Sequence, residues 1–243
     1  MTPRFTHRAG LAMCALLTRA AFLVIARVRI DDAEVRPMPG RGAIIAINHR
    51  SMLDFFVGTI AFRQWGVYPR TFARGDFFTR PVLGVALRLV GAIPAGRGRG
   101  AAVTFRLARD VLRSGGVVAI APEGRVVAPA ERPAGLGELK GGVGVMSSRC
   151  GTPILLAAIT NTDLAWPLGR RAPRVHLPCN RPTITVSVTR LEVQPGTPPA
   201  VVTERVAEGL RDLLGTAPQP QERRDPGETP ASISPSTFVG RST

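Results

Sequence analysis

The apolar run Ala43-Ile44-Ile45-Ala46-Ile47 leads directly into Asn48-His49-Arg50-Ser51-Met52-Leu53-Asp54, which sets a histidine and a carboxylate five positions apart. A short β-branched run with no polar residue reads as a buried strand, and such a strand delivers the residues after it to the edge of a sheet. The spacing then fixes the local geometry. Within one regular helix the two side chains would point roughly 140° apart. Pairing therefore requires His49 in a turn and Asp54 in the first turn of the helix that follows. Asn48 and Ser51 are both suited to capping that helix start. Taken alone, the spacing is common and favours a surface histidine beside a capping cluster.

The same device recurs along the chain. Gly91-Ala92-Ile93-Pro94-Ala95-Gly96-Arg97 closes a hydrophobic stretch in a glycine-rich turn with one arginine. Val117-Val118-Ala119-Ile120-Ala121 runs into Pro122-Glu123-Gly124-Arg125, and Thr152-Pro153 precedes the apolar run Ile154–Ile159. Buried strands are expected at Ala43–Ile47, Val67–Phe72, Leu89–Ile93, Val117–Ala121 and Ile154–Ile159. Between Arg99 and Ser114 the apolar Val103, Leu107 and Val111 recur every fourth residue against Arg106, Arg109 and Arg113, which predicts an amphipathic helix stopped by Gly115-Gly116. Strands alternating with helices specify an α/β fold, a mixed but mostly parallel sheet flanked by helices. Thr183–Thr189 alternates with period two and is expected as a half-exposed edge strand.

The residues at the strand ends suit proton transfer beside a bound phosphate. An imidazole is the side chain best matched to taking a proton near neutral pH, and a neighbouring carboxylate fixes its tautomer. A guanidinium matches phosphate geometry, and glycines beside it let backbone N–H groups approach an anion. No G-x-S-x-G elbow occurs, which disfavours an acyl-enzyme hydrolase and leaves Ser51 a weak candidate nucleophile.

Taken in order, the four segments resemble the conserved blocks of the glycerolipid acyltransferase family, in particular its 1-acyl-glycerol-3-phosphate acyltransferases, over roughly residues 35 to 165. The resemblance implies His49 as the catalytic base and Asp54 as its partner. It places Arg97, Glu123, Gly124 and Arg125 with the acceptor's phosphate and Pro153 with the acyl-donor side. Asn48, Ser51 and Lys140 are supporting candidates. Arg125 follows Gly124 directly, where many relatives insert a threonine, and Gly96 stands where many carry an acidic residue. The implied reaction needs no metal or redox cofactor. Its substrates are a lysophosphatidate-like acceptor and an acyl thioester of coenzyme A or acyl carrier protein. Two alternatives stand beside it: another lyso-lipid acceptor, or a non-catalytic basic protein binding lipid or nucleic acid.

Charge alone does not choose among partners. The net charge is +15, and all but one of the 32 basic residues are arginine. These are scattered, aromatics are only 5%, and no nucleic-acid recognition motif appears, so a nucleic-acid partner is not expected. The N-terminus favours a membrane. Ala9–Ala26 is largely apolar, holds one charge, Arg19, and is flanked by Arg4, Arg8, Arg27 and Arg29. A mid-segment arginine is costly in a spanning helix. A helix lying in the cytoplasmic leaflet, its arginines reaching the headgroups, fits better, with an ordinary buried helix as the other reading. The expected organisation is a membrane-associating segment over 1–30, an acyltransferase domain over 31–216, and a disordered tail over 217–243, where Pro, Ser, Thr and charge dominate. Cys14, Cys150 and Cys179 have no paired spacing, so neither a disulfide framework nor a zinc site is indicated, which suits a reducing compartment.

Overall fold

The apolar runs form the interior of one seven-stranded sheet. In the computed structural model, residues 3–31, 42–96, 99–177, 179–194 and 196–216 are described; the expected tail over 217–243 lies outside them. In chain order the described elements are α1 (Pro3–Ile25), β1 (Arg27–Ile30), β2 (Ala43–Ile47), α2 (Leu53–Gln64) and β3 (Arg70–Arg74). After a 3₁₀ turn over Gly75–Thr79 come α3 (Pro81–Leu89), β4 (Ile93–Ala95), α4 (Arg99–Arg113) and β5 (Val117–Ile120). The chain continues through α5 (Gly142–Cys150), β6 (Ile154–Thr160), the short α6 (Thr162–Ala165), β7 (Thr183–Leu191) and α7 (Pro199–Thr216).

The strand order is β1-β7-β6-β2-β5-β3-β4. Every pair is parallel except β6 with β7. This is the mixed, mostly parallel sheet that the sequence predicts. Strand periodicity splits the core between the two faces. Ile45, Ala119, Leu155 and Ile159 pack under α1 and α2 with Phe22, Val57, Ile60 and Trp65. Ile44, Ala46, Val118 and Leu156 pack under α4, α5 and α7 with Leu112, Met146, Val206 and Leu210. The buried strands β2, β5 and β6 therefore run side by side, and β2 and β5 share one direction with β6. Their C-terminal ends, carrying the His49, Glu123 and Asn161 turns, lie at one edge of the sheet.

Three expected boundaries differ, two for the same reason. The run at 89–93 is a helix end: Gly91 takes φ +67°, its N–H donates to Arg88 O at 3.0 Å, and the Ala92 N–H donates to Leu87 O at 2.8 Å. That pair of bonds is a Schellman cap, which Gly favours because it lacks a Cβ. The strand begins only at Ile93. Gly66 closes α2 in the same way, with Gly66 N–H to Arg63 O at 3.1 Å and Val67 N–H to Phe62 O at 2.9 Å, so Val67 belongs to a cap and β3 starts at Arg70. β7 is interior rather than an edge strand, because β1 pairs along its outer side from Arg27–Thr183 to Ile30–Val186. β1 turns Arg27 and Arg29 outward, the charged character that protects a free sheet edge.

α1 has two characters. Leu11, Ala15, Phe22 and Ile25 are buried, the last two in the core beneath α2, while Met13, Leu16, Leu17 and Leu23 face outward. The stretch Thr6–Ile25 is long and apolar enough, by length and composition, to cross a membrane. Its inner face is nonetheless built into the domain.

Candidate active site

His49 sits in the turn after β2, and Asp54 occupies the first turn of α2. This is the arrangement the spacing requires. The imidazole Nδ1 lies 3.0 Å from Asp54 Oδ2. Asp54 is 3% exposed, so the carboxylate is sealed beneath a partly exposed ring. Its Oδ2 also accepts the backbone N–H of Arg50 at 2.6 Å and of Ser51 at 2.8 Å. Its Oδ1 accepts the Thr162 hydroxyl at 2.5 Å. An ionised carboxylate only accepts, so the ring proton sits on Nδ1 and the Nε2 lone pair is left to receive a proton.

The other motif residues hold this loop in place. Asn48 bridges to β6: its side chain donates to Ile159 O at 2.9 Å and accepts from Ile159 N–H at 2.7 Å. It extends the contact between β2 and β6 past Ile47, the last paired residue of β2, and is not a helix cap. Ser51 Oγ accepts the Leu53 N–H at 3.2 Å and donates to Trp166 O at 2.7 Å. A hydroxyl committed to a backbone carbonyl on the far side of the loop has no base to activate it, which removes Ser51 as nucleophile.

Glu123 is as buried as Asp54 and faces the same loop. Its Oε2 accepts the His49 N–H, and its Oε1 accepts the Gly137 N–H at 2.7 Å. Burial pushes its carboxyl above the ordinary value, against the opposing pull of those two N–H groups. The segment is stitched further by Val127 N–H to His49 O at 3.0 Å and Lys140 N–H to Pro122 O at 2.8 Å. Gly124 takes φ +71°, and a Cβ there would meet Lys140 Nζ at 3.0 Å. The Lys140 ammonium thus lies over the Glu123-Gly124 turn although it follows it by many residues. Glu123→Gln would set an amide NH₂ against one of the two N–H donors. Leaving such a buried group unpaired typically costs about 1–3 kcal/mol. The expected result is a lower melting temperature with a reduced kcat, measured by thermal unfolding and steady-state assay.

Arg125 stands apart from this cluster. It is exposed and forms a two-pronged ion pair with Glu131, 2.9 Å at each contact. Arg97 lies outside the described residues.

Two contributors were not picked out from the sequence. Thr162, fully buried at the start of α6, supplies the fourth bond to Asp54 across 108 positions of chain. Asp163 beside it pairs with the buried Arg132 at 2.5 Å, tying α6 to the segment that leads to Gly137. A signal was present: Asn161-Thr162-Asp163 follows the fourth apolar run just as Asn48-His49 follows the first. Thr162→Val should lower kcat about tenfold, because a buried carboxylate oxygen loses its donor. The acceptor KM should hold, since Thr162 is out of a substrate's reach, and Thr162→Ser should restore kcat. Equal losses in the Val and Ser variants would leave Thr162 a packing residue.

The arrangement is a base held by a buried carboxylate, with both fixed by contacts from two further strand ends. It can take a proton from a hydroxyl as that oxygen attacks a carbonyl and return it to a leaving group. Among solved structures, the chain is similar to the crystal structure of the 1-acyl-sn-glycerophosphate (LPA) acyltransferase PlsC from Thermotoga maritima. The TM-score is 0.68, with 17% identity, 84% of this chain and 78% of that chain covered. At that identity the likeness establishes a shared fold. No curated protein sequence matches the chain. A family model described as Acyltransferase matches residues 27–160, more than half the chain, spanning His49, Asp54 and Glu123; the chain belongs to the acyltransferase family.

Proposed function

We propose that this acyltransferase moves a fatty acyl chain from an acyl thioester, of coenzyme A or acyl carrier protein, to the free hydroxyl of a lysophosphatidate-like acceptor. The observation that carries this reading is the His49–Asp54 pair at 3.0 Å with the carboxylate buried. His49 Nε2 takes the hydroxyl proton as the oxygen attacks the thioester carbonyl. Asp54 keeps the ring oriented and stabilises the imidazolium that forms. The tetrahedral intermediate collapses by breaking the carbon–sulfur bond, and the departing thiolate takes the proton back from His49. Ester and free thiol are the products, with no metal or redox cofactor needed in any step.

Glu123 is assigned here to positioning rather than to the phosphate. Two anions repel, and both its oxygens are already held by N–H groups. The acceptor's phosphate is assigned to Arg97, Arg125, Lys140 and the backbone at Gly124. Arg125 would exchange Glu131 for the phosphate, an exposed exchange that costs little. Arg97→Ala and Arg125→Ala should each raise the acceptor KM roughly tenfold or more, given about 1.5–3 kcal/mol for a charged hydrogen bond. The donor KM should stay near its starting value. Changes confined to donor kinetics would move the anion site to the thioester side.

The support for a membrane setting is α1. Its outward Met13, Leu16, Leu17 and Leu23 are mostly exposed, while its inner face is core. A spanning helix would have to leave that core and bury Arg19 in hydrocarbon, so the proposed helix lies in the cytoplasmic leaflet. Deleting residues 1–30 would strip the core under α2; substituting the four outward residues with serine isolates the membrane contribution. The acceptor is settled by competition: lysophosphatidate against lysophospholipids with larger headgroups, compared by kcat/KM in one assay. A preference for a headgroup-bearing lysophospholipid would replace lysophosphatidate and leave the chemistry standing.

A further inference from the structure

α3 has its hydrophobic side facing outward. Val82, Val85, Ala86 and Leu89 fall at i, i+3, i+4 and i+7 on one stripe, and Val82 is 85% exposed, Val85 55% and Leu89 52%. The opposite side is fixed by backbone contact. A Cβ on Gly84 would lie 2.4 Å from Phe78 O, and a Cβ on Gly10 of α1 would lie 2.4 Å from Leu89 O. The helix is wedged between the 3₁₀ turn and α1 through glycines, with Leu87 packed inward and Val82, Val85 and Leu89 held out. A contiguous apolar patch of this kind on a soluble surface marks an interaction site.

Two further features point to one occupant. The first is the rim. Arg74 and Arg80 both stack on the Phe77 ring with their guanidinium carbons 5.2 Å from its centre, and Arg88 lies 6.0 Å from that of Phe78. The one carboxylate nearby, Asp76, is held by Arg74, and Arg80 and Arg88 have no acidic partner among the described residues. Apolar side chains bordered by aromatic rings and arginines match the hydrocarbon, interface and anionic headgroup layers of a bilayer in turn. The second is continuity. On α1, Gly10, Met13, Leu17 and Val24 share one line, which begins against Leu89 and continues outward as exposed side chains.

We propose that α3, joined to the Met13–Leu17–Val24 line of α1, is a second membrane-docking element that inserts its stripe into an anionic phospholipid leaflet. This rests on the reading of α1 as membrane-attached and adds a second point of contact. Two contacts fix the orientation of the domain on the surface, where one helix alone leaves it free to pivot.

The test uses the full chain with Cys14, Cys150 and Cys179 replaced by Ala and an environment-sensitive fluorophore attached at Val85→Cys, or at Val201→Cys on α7 as the control. The probe is vesicles of equal parts phosphatidylcholine and phosphatidylglycerol carrying acyl-chain nitroxide. The expected result is flotation with the vesicles and quenching of the Val85 label but not the Val201 label. The pair Val82→Glu and Val85→Glu should weaken partition about tenfold, from the lost apolar burial, with unchanged thermal unfolding. If the protein floats while both labels stay equally unquenched, α3 does not dock and the α1 reading stands alone. If it does not float, both fall. A Val85 label already shielded without vesicles, in a particle of twice the chain mass, would show that a second copy covers the stripe and overturn the proposal.

Discussion

Replacing His49 by alanine should lower kcat by about 10³-fold or more while leaving the melting temperature nearly unchanged. The magnitude is that of a lost general base together with the proton it returns to the leaving group, a contribution typically of about 10²–10⁴. The fold should tolerate the change because His49 holds its loop through the backbone. Its N–H goes to Glu123 and its C=O receives Val127 N–H at 3.0 Å. Alanine keeps both bonds. A folded His49→Ala protein that turns over at near the normal rate would end the proposed mechanism.

Asp54→Asn should also lose most activity, roughly 10²-fold, though less than His49→Ala. The four bonds to Asp54 explain both parts. Placing the amide NH₂ at the Oδ1 position keeps the Oδ2 contacts with His49, Arg50 and Ser51, and the Thr162 hydroxyl can turn from donor to acceptor. Geometry survives, and only the charge that stabilises the imidazolium is lost. Thr162→Val placed on top of Asp54→Asn should add less than it does alone, because the two act through one carboxylate. Full additivity in kcat would separate them.

Much of this was legible in the sequence because it is local. Each of the runs at 43–47, 117–120 and 154–159 is an unbroken apolar stretch too short for a helix and suited to a strand buried on both faces, and the helix over 99–113 carries both its period and its glycine stop. The His49–Asp54 geometry followed from a five-residue spacing. The parts not legible are long-range or aperiodic. Thr162 reaches Asp54 only because β6 lies beside β2. β1 reads as four residues of alternating arginine until β7 pairs with it. α3 is apolar on both faces, so the alternation that separates helix from strand is erased there, and its last residue, Leu89, passes for the start of a strand that begins only at Ile93. The same absence of a polar face underlies its proposed docking role. Glu123 shows a different gap: a motif gives a residue's position but not which way its carboxylate faces.

The most direct measurement mixes purified protein, lysophosphatidate and a panel of acyl-coenzyme A and acyl carrier protein thioesters, then follows lipid products by mass spectrometry and free thiol by a colorimetric reagent. Phosphatidate and thiol should appear in equal amounts, with neither formed by His49→Ala. Thiol released alongside free fatty acid, with lysophosphatidate unconsumed, would identify a thioester hydrolase and contradict acyl transfer to this acceptor.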